Sequence, residues 1–180
     1  MTRALMFAVL FTAGVAAQTA PPASQSSQPT IEGVRNYTQV DATIGCAGAT
    51  DPKAMASIAK AGYKTVLNLR EGTEEGVNIN ESRAASEAAG LKYIHLPFKG
   101  SAPDAKVADE FLKVVADTSI QPLFIHCGSA NRVGAMWLIK RMVLDKWTEE
   151  RAVAEAKSIG LTSAALQKFA LDYVATHKVP

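Results

Sequence analysis

Cysteine is scarce in this chain, with only Cys46 and Cys127 among 180 residues. Two cysteines close one bridge at most, which excludes a scaffold stapled by several disulfides. Histidine is equally sparse at three, and neither residue type recurs at metal-ligand spacing. No metal and no other cofactor is therefore implied. Lysine and arginine form no run, and the formal net charge is only +2. Nothing in that balance points to nucleic acid or to an anionic membrane surface as a partner. The most apolar stretch, residues 4–16, falls short of the roughly 20 residues that a membrane-crossing helix needs, so no stable membrane anchor is expected. No internal repeat is visible.

What remains is the composition of an ordinary globular protein, 48% hydrophobic and 20% charged. The length suits one domain with a full apolar core. Arg3 precedes the apolar stretch, and Val15, Ala16 and Ala17 are small residues of the kind a signal peptidase reads, which predicts cleavage after Ala17. Residues 18–30 are rich in Pro, Ser and Gln and lack apolar periodicity, as a disordered tether does. The expected organisation is a signal peptide over 1–17, a linker over 18–35 and one domain over 36–180. The protein is expected to be exported, to the periplasm or outside the cell.

Within that domain, strand and helix patterns alternate. One or two short strands are expected over 37–45. Asp51-Pro52 has the form of an N-cap followed by Pro at the first helical position, opening a helix that stops at Gly62. Residues 64–69 (KTVLNL) read as a short buried strand, and 92–96 (KYIHL) and 122–126 (PLFIH) as two further strands. Helical patterns cover about 80–89, 103–117, 132–143, 149–158 and 163–176, and Trp137, Met136 and Met142 belong to the core of the helix over 132–143. Alternation of this kind predicts an α/β fold with a mostly parallel central sheet and helices on both faces. Sites in such folds lie beyond the strand C-termini, where Cys127 falls.

Residues 126–134, His-Cys-Gly-Ser-Ala-Asn-Arg-Val-Gly, carry the chemistry. Small residues let successive amides of a loop curl around an anion, and a helix N-terminus adds its partial positive charge. Gly128, Ser129, Ala130, Asn131, Arg132 and Val133 are the expected phosphate-binding residues of this P-loop. Arg132 adds a planar fork suited to phosphate or sulfate oxygens. The same field favours a thiolate on Cys127, so the loop binds an oxyanion and presents a nucleophile to it. His126 is expected to support the loop through its ring or backbone, or to be simply a buried histidine at a strand end.

This segment resembles the His-Cys-…-Arg signature of dual-specificity cysteine phosphatases, and most of all their bacterial beta-lactamase-hydrolase-like phosphatase branch. The likeness covers about residues 36–165 and includes residues 62–70 (GYKTVLNLR) and 93–97 (YIHLP). It implies a cysteine-phosphatase-like fold, Cys127 as nucleophile, Arg132 as phosphate clamp and a phosphorylated protein or small molecule as partner. Three features depart from the common pattern. Only Gly128, Ser129, Ala130 and Asn131 separate Cys127 from Arg132, a spacing also found in rhodanese-type sulfurtransferases. Val133 replaces the usual Ser or Thr. No Asp stands where the general acid is expected. Asp104 is the nearest carboxylate in the segment before the loop, but it also reads as the start of a helix with Ser101 as N-cap. Glu74 and Glu75 are alternative acids, and Lys99 is a candidate for anion binding or a solvated loop residue. Cys46 is expected after a strand end, either as a redox partner of Cys127 or as a small buried hydrophobe. Rhodanese-like sulfur transfer and phosphate binding without turnover therefore stand beside phosphomonoester hydrolysis.

Overall fold

The computed structural model describes residues 30–177, so the expected signal peptide and most of the expected linker lie outside the described residues. Five strands form one sheet in the order β1-β2-β5-β3-β4. Strand β1 (Thr38–Gln39) pairs antiparallel with β2 (Ile44–Ala47). Strands β2, β5 (Leu123–His126), β3 (Thr65–Asn68) and β4 (Lys92–His95) run parallel. Each of these parallel strands has four residues, and β2, β3 and β5 are buried along their whole length, as continuous apolar runs require.

Helices cover both faces, as the alternating pattern predicts. On one face lie α1 (Met55–Lys60), entered through a 3-10 turn at Pro52–Ala54, and α2 (Ile79–Ala88). Met55 and Ile58 of α1 pack with Val66, Phe124 and Tyr93 of the sheet. The other face carries α3 (Ala105–Ala116), α4 (Asn131–Val143), α5 (Glu149–Ile159) and α6 (Ala164–Thr176), over a core that includes Leu67, Ile125 and Cys127. The caps follow local chemistry: Asp51, Asn78 and Ser163 each accept an amide hydrogen bond at the start of a helix. Before α3 the cap is Asp104 rather than the expected Ser101, its carboxylate accepting from the Lys106 amide at 2.9 Å.

Two sequence expectations change in detail. Cys46 does not follow a strand; it is the third residue of β2, fully buried and facing the same core as Ile125 and Cys127. Residues 31–35, assigned to the end of the linker, pack onto the domain. Val34 bridges Thr50, the Arg35 amide donates to the Ala49 carbonyl at 2.9 Å, and the Gly48 amide donates back to the Arg35 carbonyl at 2.7 Å. Neither change was readable from composition, because a single bridge leaves no periodic pattern.

Candidate active site

The last residues of β2, β5 and β3 lie side by side, with Ala47 and Asn68 each in register with His126. The Cys127 amide donates to the Ala47 carbonyl at 3.2 Å, and the His126 carbonyl accepts from the Leu69 amide at 2.9 Å. Beyond that point strand pairing stops. The chain turns through Gly128, Ser129 and Ala130 straight into the N-terminal end of α4. Ala130 makes the turn in the left-handed region at φ 69°, a conformation unusual for a residue with a side chain.

Neighbouring backbones press on this loop from two sides. A Cβ on Gly48 would lie 3.3 Å from the Ser129 carbonyl carbon and 3.4 Å from the Ala130 nitrogen. A Cβ on Gly160 would lie 2.8 Å from the Ala130 Cβ. The side-chain amide of Asn36 donates to the Ser129 carbonyl at 3.3 Å. Asn131 bonds within the loop, donating to the Ser129 hydroxyl at 3.3 Å. Its oxygen accepts from the amides of Thr162 and Ser163 at 2.7 and 2.8 Å, tying the loop to the α5–α6 connection. Val133 points into the core and is fully buried. Of the residues expected to bind phosphate, Asn131 and Val133 thus commit their side chains to holding the loop. Gly48, Gly160 and Asn36 had no sequence signal for this task, since their partners are distant in the chain.

Arg132 is held through its two Nη groups, and Nη1 donates to the Leu69 carbonyl at 3.3 Å. Its Nη1 and Nη2 donate to the two carboxylate oxygens of Glu74 at 2.6 and 2.8 Å, and Nη1 also reaches the Phe98 carbonyl at 3.1 Å. Among the described residues its Nε has no partner, and a Cβ on Gly128 would lie 3.3 Å from Nη2. The free edge of the guanidinium therefore borders the Cys127 loop, where it can donate two parallel hydrogen bonds to an oxyanion.

Glu74 is saturated. Besides Arg132 it accepts from Arg70 Nε at 3.0 Å and from the Glu71 amide at 2.7 Å. Burial alone would raise its pKa, but the hydrogen bonds from Arg132, the Glu71 amide and Arg70 outweigh it and hold the carboxyl at about 2. A group so acidic has no proton to give at neutral pH, so Glu74 orients Arg132 and does not act as an acid. Asp104 caps α3 and does not line the cavity beside Gly128, which measures about 660 Å³ and is bordered by Arg35, Thr50, Asp51, Arg70 and Glu75. Of the three carboxylates singled out from the sequence, Glu75 lies on that cavity. Lys99 is exposed.

His126 is buried, and among the described residues neither ring nitrogen has a hydrogen-bond partner. Its support of the loop therefore runs through the backbone carbonyl rather than the ring. Burial pushes its pKa down to about 3, helped by the positive charge of Arg70, so the ring is neutral. Cys46 and Cys127 are both free thiols. Cys46 is fully buried, and burial raises its pKa well above the usual thiol range.

A mostly parallel sheet whose central strand runs into a Cys-to-Arg loop and then a buried helix defines the cysteine-phosphatase-like class. Residues 36–143 match the family model "Beta-lactamase hydrolase-like protein, phosphatase-like domain", and the chain belongs to that family. No curated protein matches it. Solved structures share the fold. A Shewanella putrefaciens CN-32 protein that carries a provisional phosphatase name is 14% identical, with 83% of this chain and 97% of that chain covered at a TM-score of 0.69. P. aeruginosa TpbA is 20% identical over 84% and 89% of the two chains, at 0.63. The core catalytic domain of the PP-IP phosphatase SIW14 from S. cerevisiae is 18% identical over 79% and 87%, at 0.66.

Proposed function

We propose that this protein is an exported cysteine-dependent phosphatase that hydrolyses phosphomonoesters through a cysteinyl-phosphate. One observation carries the reading: Arg132 is gripped along one edge by Glu74 while its other edge is turned to the loop that begins at Cys127. A clamp fixed in this way is set for an oxyanion before the ligand arrives, which is how preorganised donors lower a barrier. The Cys127 thiolate attacks phosphorus, the S–P bond forms and the P–O ester bond breaks. The leaving oxygen takes a proton from Glu75, on the wall of the adjoining cavity. Water then attacks phosphorus, its proton passing to the Glu75 carboxylate as the S–P bond breaks, giving inorganic phosphate, the thiolate and a recharged acid. TpbA, which shares the fold, has been solved in complex with phosphotyrosine as a variant in which serine replaces a cysteine. Export rests on the residue pattern of positions 1–17 alone.

The test is hydrolysis of an aryl phosphate under reducing conditions by wild type, Cys127→Ser and Glu75→Gln. Wild type is expected to turn over and Cys127→Ser to be inactive. Glu75→Gln is expected to lose about 10²-fold or more on an alkyl phosphate and far less on a nitrophenyl ester, whose leaving group needs no proton. Turnover that survives Cys127→Ser would contradict the covalent reading. Equal losses on both esters would remove Glu75 from the mechanism.

A further inference from the structure

The cavity beside the catalytic loop is of small-molecule size, about 660 Å³, and its lining is unusual for what it contains and omits. Among the described residues no aromatic side chain borders it. Its walls come from residues 33–35, residues 49–52, Arg70, Glu75, Gly76 and Gly128. An aryl leaving group would find no ring to stack against. Two arginines, Arg35 and Arg70, border the same space.

Neither arginine is there by accident of a loose loop. Arg70 is anchored through Nε to Glu74 at 3.0 Å and through Nη2 to the Glu75 carbonyl at 3.0 Å, which leaves its Nη1 without a partner among the described residues. The backbone of Arg35 is pinned by the bonds to Ala49 and Gly48 already described, and the Gly33 carbonyl nearby accepts from the Asp51 amide at 2.9 Å. Gly48 in turn lies against Ser129 and Ala130, so the backbone of Arg35 is tied to the Cys127 loop through Gly48. Arg35 forms no ion pair among the described residues. Two carboxylates, Asp51 and Glu75, border the same space. Asp51 caps the turn at Pro52–Ala54, accepting from the Lys53 amide at 2.8 Å, and among the described residues Glu75 pairs with no cation.

From this arrangement we infer that the substrate is a small, non-aromatic phosphomonoester that carries a second anionic group, phosphate or carboxylate, received by Arg35 with Arg70 beside it. One phosphate sits on the Cys127 loop and the other anion sits across the cavity. The inference rests on the phosphatase reading for which phosphate is cleaved, but not for the binding of the second anion.

Two measurements test it. In the first, kcat/KM is compared for glucose 1,6-bisphosphate and glucose 6-phosphate, and the bisphosphate is expected to be preferred by about tenfold or more, the effect of one charge-assisted hydrogen bond. In Arg35→Gln that ratio is expected to fall to about one. A phosphotyrosine peptide preferred over the bisphosphate, or a ratio unchanged by Arg35→Gln, would overturn the inference. In the second, calorimetry on Cys127→Ser reads binding of the same two ligands without turnover. Tighter binding of the bisphosphate that disappears with Arg35→Gln supports the second-anion site even where no hydrolysis occurs. Equal affinities would overturn it while leaving the phosphatase reading intact.

Discussion

Glu74 gives the site its order at the level of single residues. It accepts four hydrogen bonds, two of them from Arg132, and turns a flexible cation into a fixed fork. Glu74→Gln is expected to lower kcat/KM about 10²-fold, the usual consequence of a reacting group displaced by about 1 Å. Steady-state kinetics would show it, and a rise in activity would instead mean that the carboxylate competes with substrate for the fork. His126 makes a second prediction. Its folded pKa, about 3, lies below the value near 6.5 of an unfolded histidine. The unfolded chain therefore binds the extra proton between these values, and stability falls as pH drops from about 6.5 toward 3. About 2 kcal/mol is expected to be lost between about pH 7 and pH 5. Urea unfolding at both values checks this, and His126→Phe is expected to remove most of the slope. A slope unchanged in that variant would place the proton elsewhere. Glu74, also held low, adds its own loss only below about pH 4.5, so the two windows are separable.

Elements hold the loop by close backbone approach. Gly160 ends α5 at φ 133°, and a methyl there would meet Ala130 at 2.8 Å. Gly160→Ala is expected to cost about 1–3 kcal/mol through strain and overpacking, with a fall in kcat/KM because Ala130 is part of the loop proposed to bind phosphate. Thermal unfolding and kinetics on the same preparation test both, and a variant with wild-type activity would show that the loop tolerates displacement from this side. Helix α4 behind the loop is buried from Val133 to Ile139, and Trp137 within that stretch donates through Nε1 to Glu155 at 2.8 Å. Its buried cation, Arg141, donates to Glu155 at 2.6 Å and stacks on Trp137 and Trp147 with centroid distances of 4.9 and 4.2 Å.

Across the whole molecule, what could be read from sequence was local and what could not was distant. The order of strands and helices was legible because each carries its own signals, such as Asp51-Pro52 before α1 or the apolar run of β5. The loop from Cys127 to Arg132 was legible as a candidate site because both residues stand in one short segment between a strand and a helix pattern. The partner that fixes Arg132 was not, since Glu74 lies 58 residues away and no pattern connects the two. Asp104 showed the converse: a carboxylate at the start of a helix has the same sequence context whether it donates a proton or caps, and its bond to Lys106 decides for the cap. Arg35 fell at the end of the expected linker, and the bridge of Val34 to Thr50 with the backbone bonds of Arg35 to Ala49 and Gly48 brings it to the cavity.

The measurement closest to the central claim is an acid quench of wild type during turnover of an aryl phosphate, followed by mass analysis of the peptide that contains Cys127. One phosphoryl group on Cys127, absent from Cys127→Ser and lost on return to neutral pH as phosphate is released, is the expected result. Sustained hydrolysis with no phosphoryl group on Cys127, or with one on another residue, would contradict the mechanism.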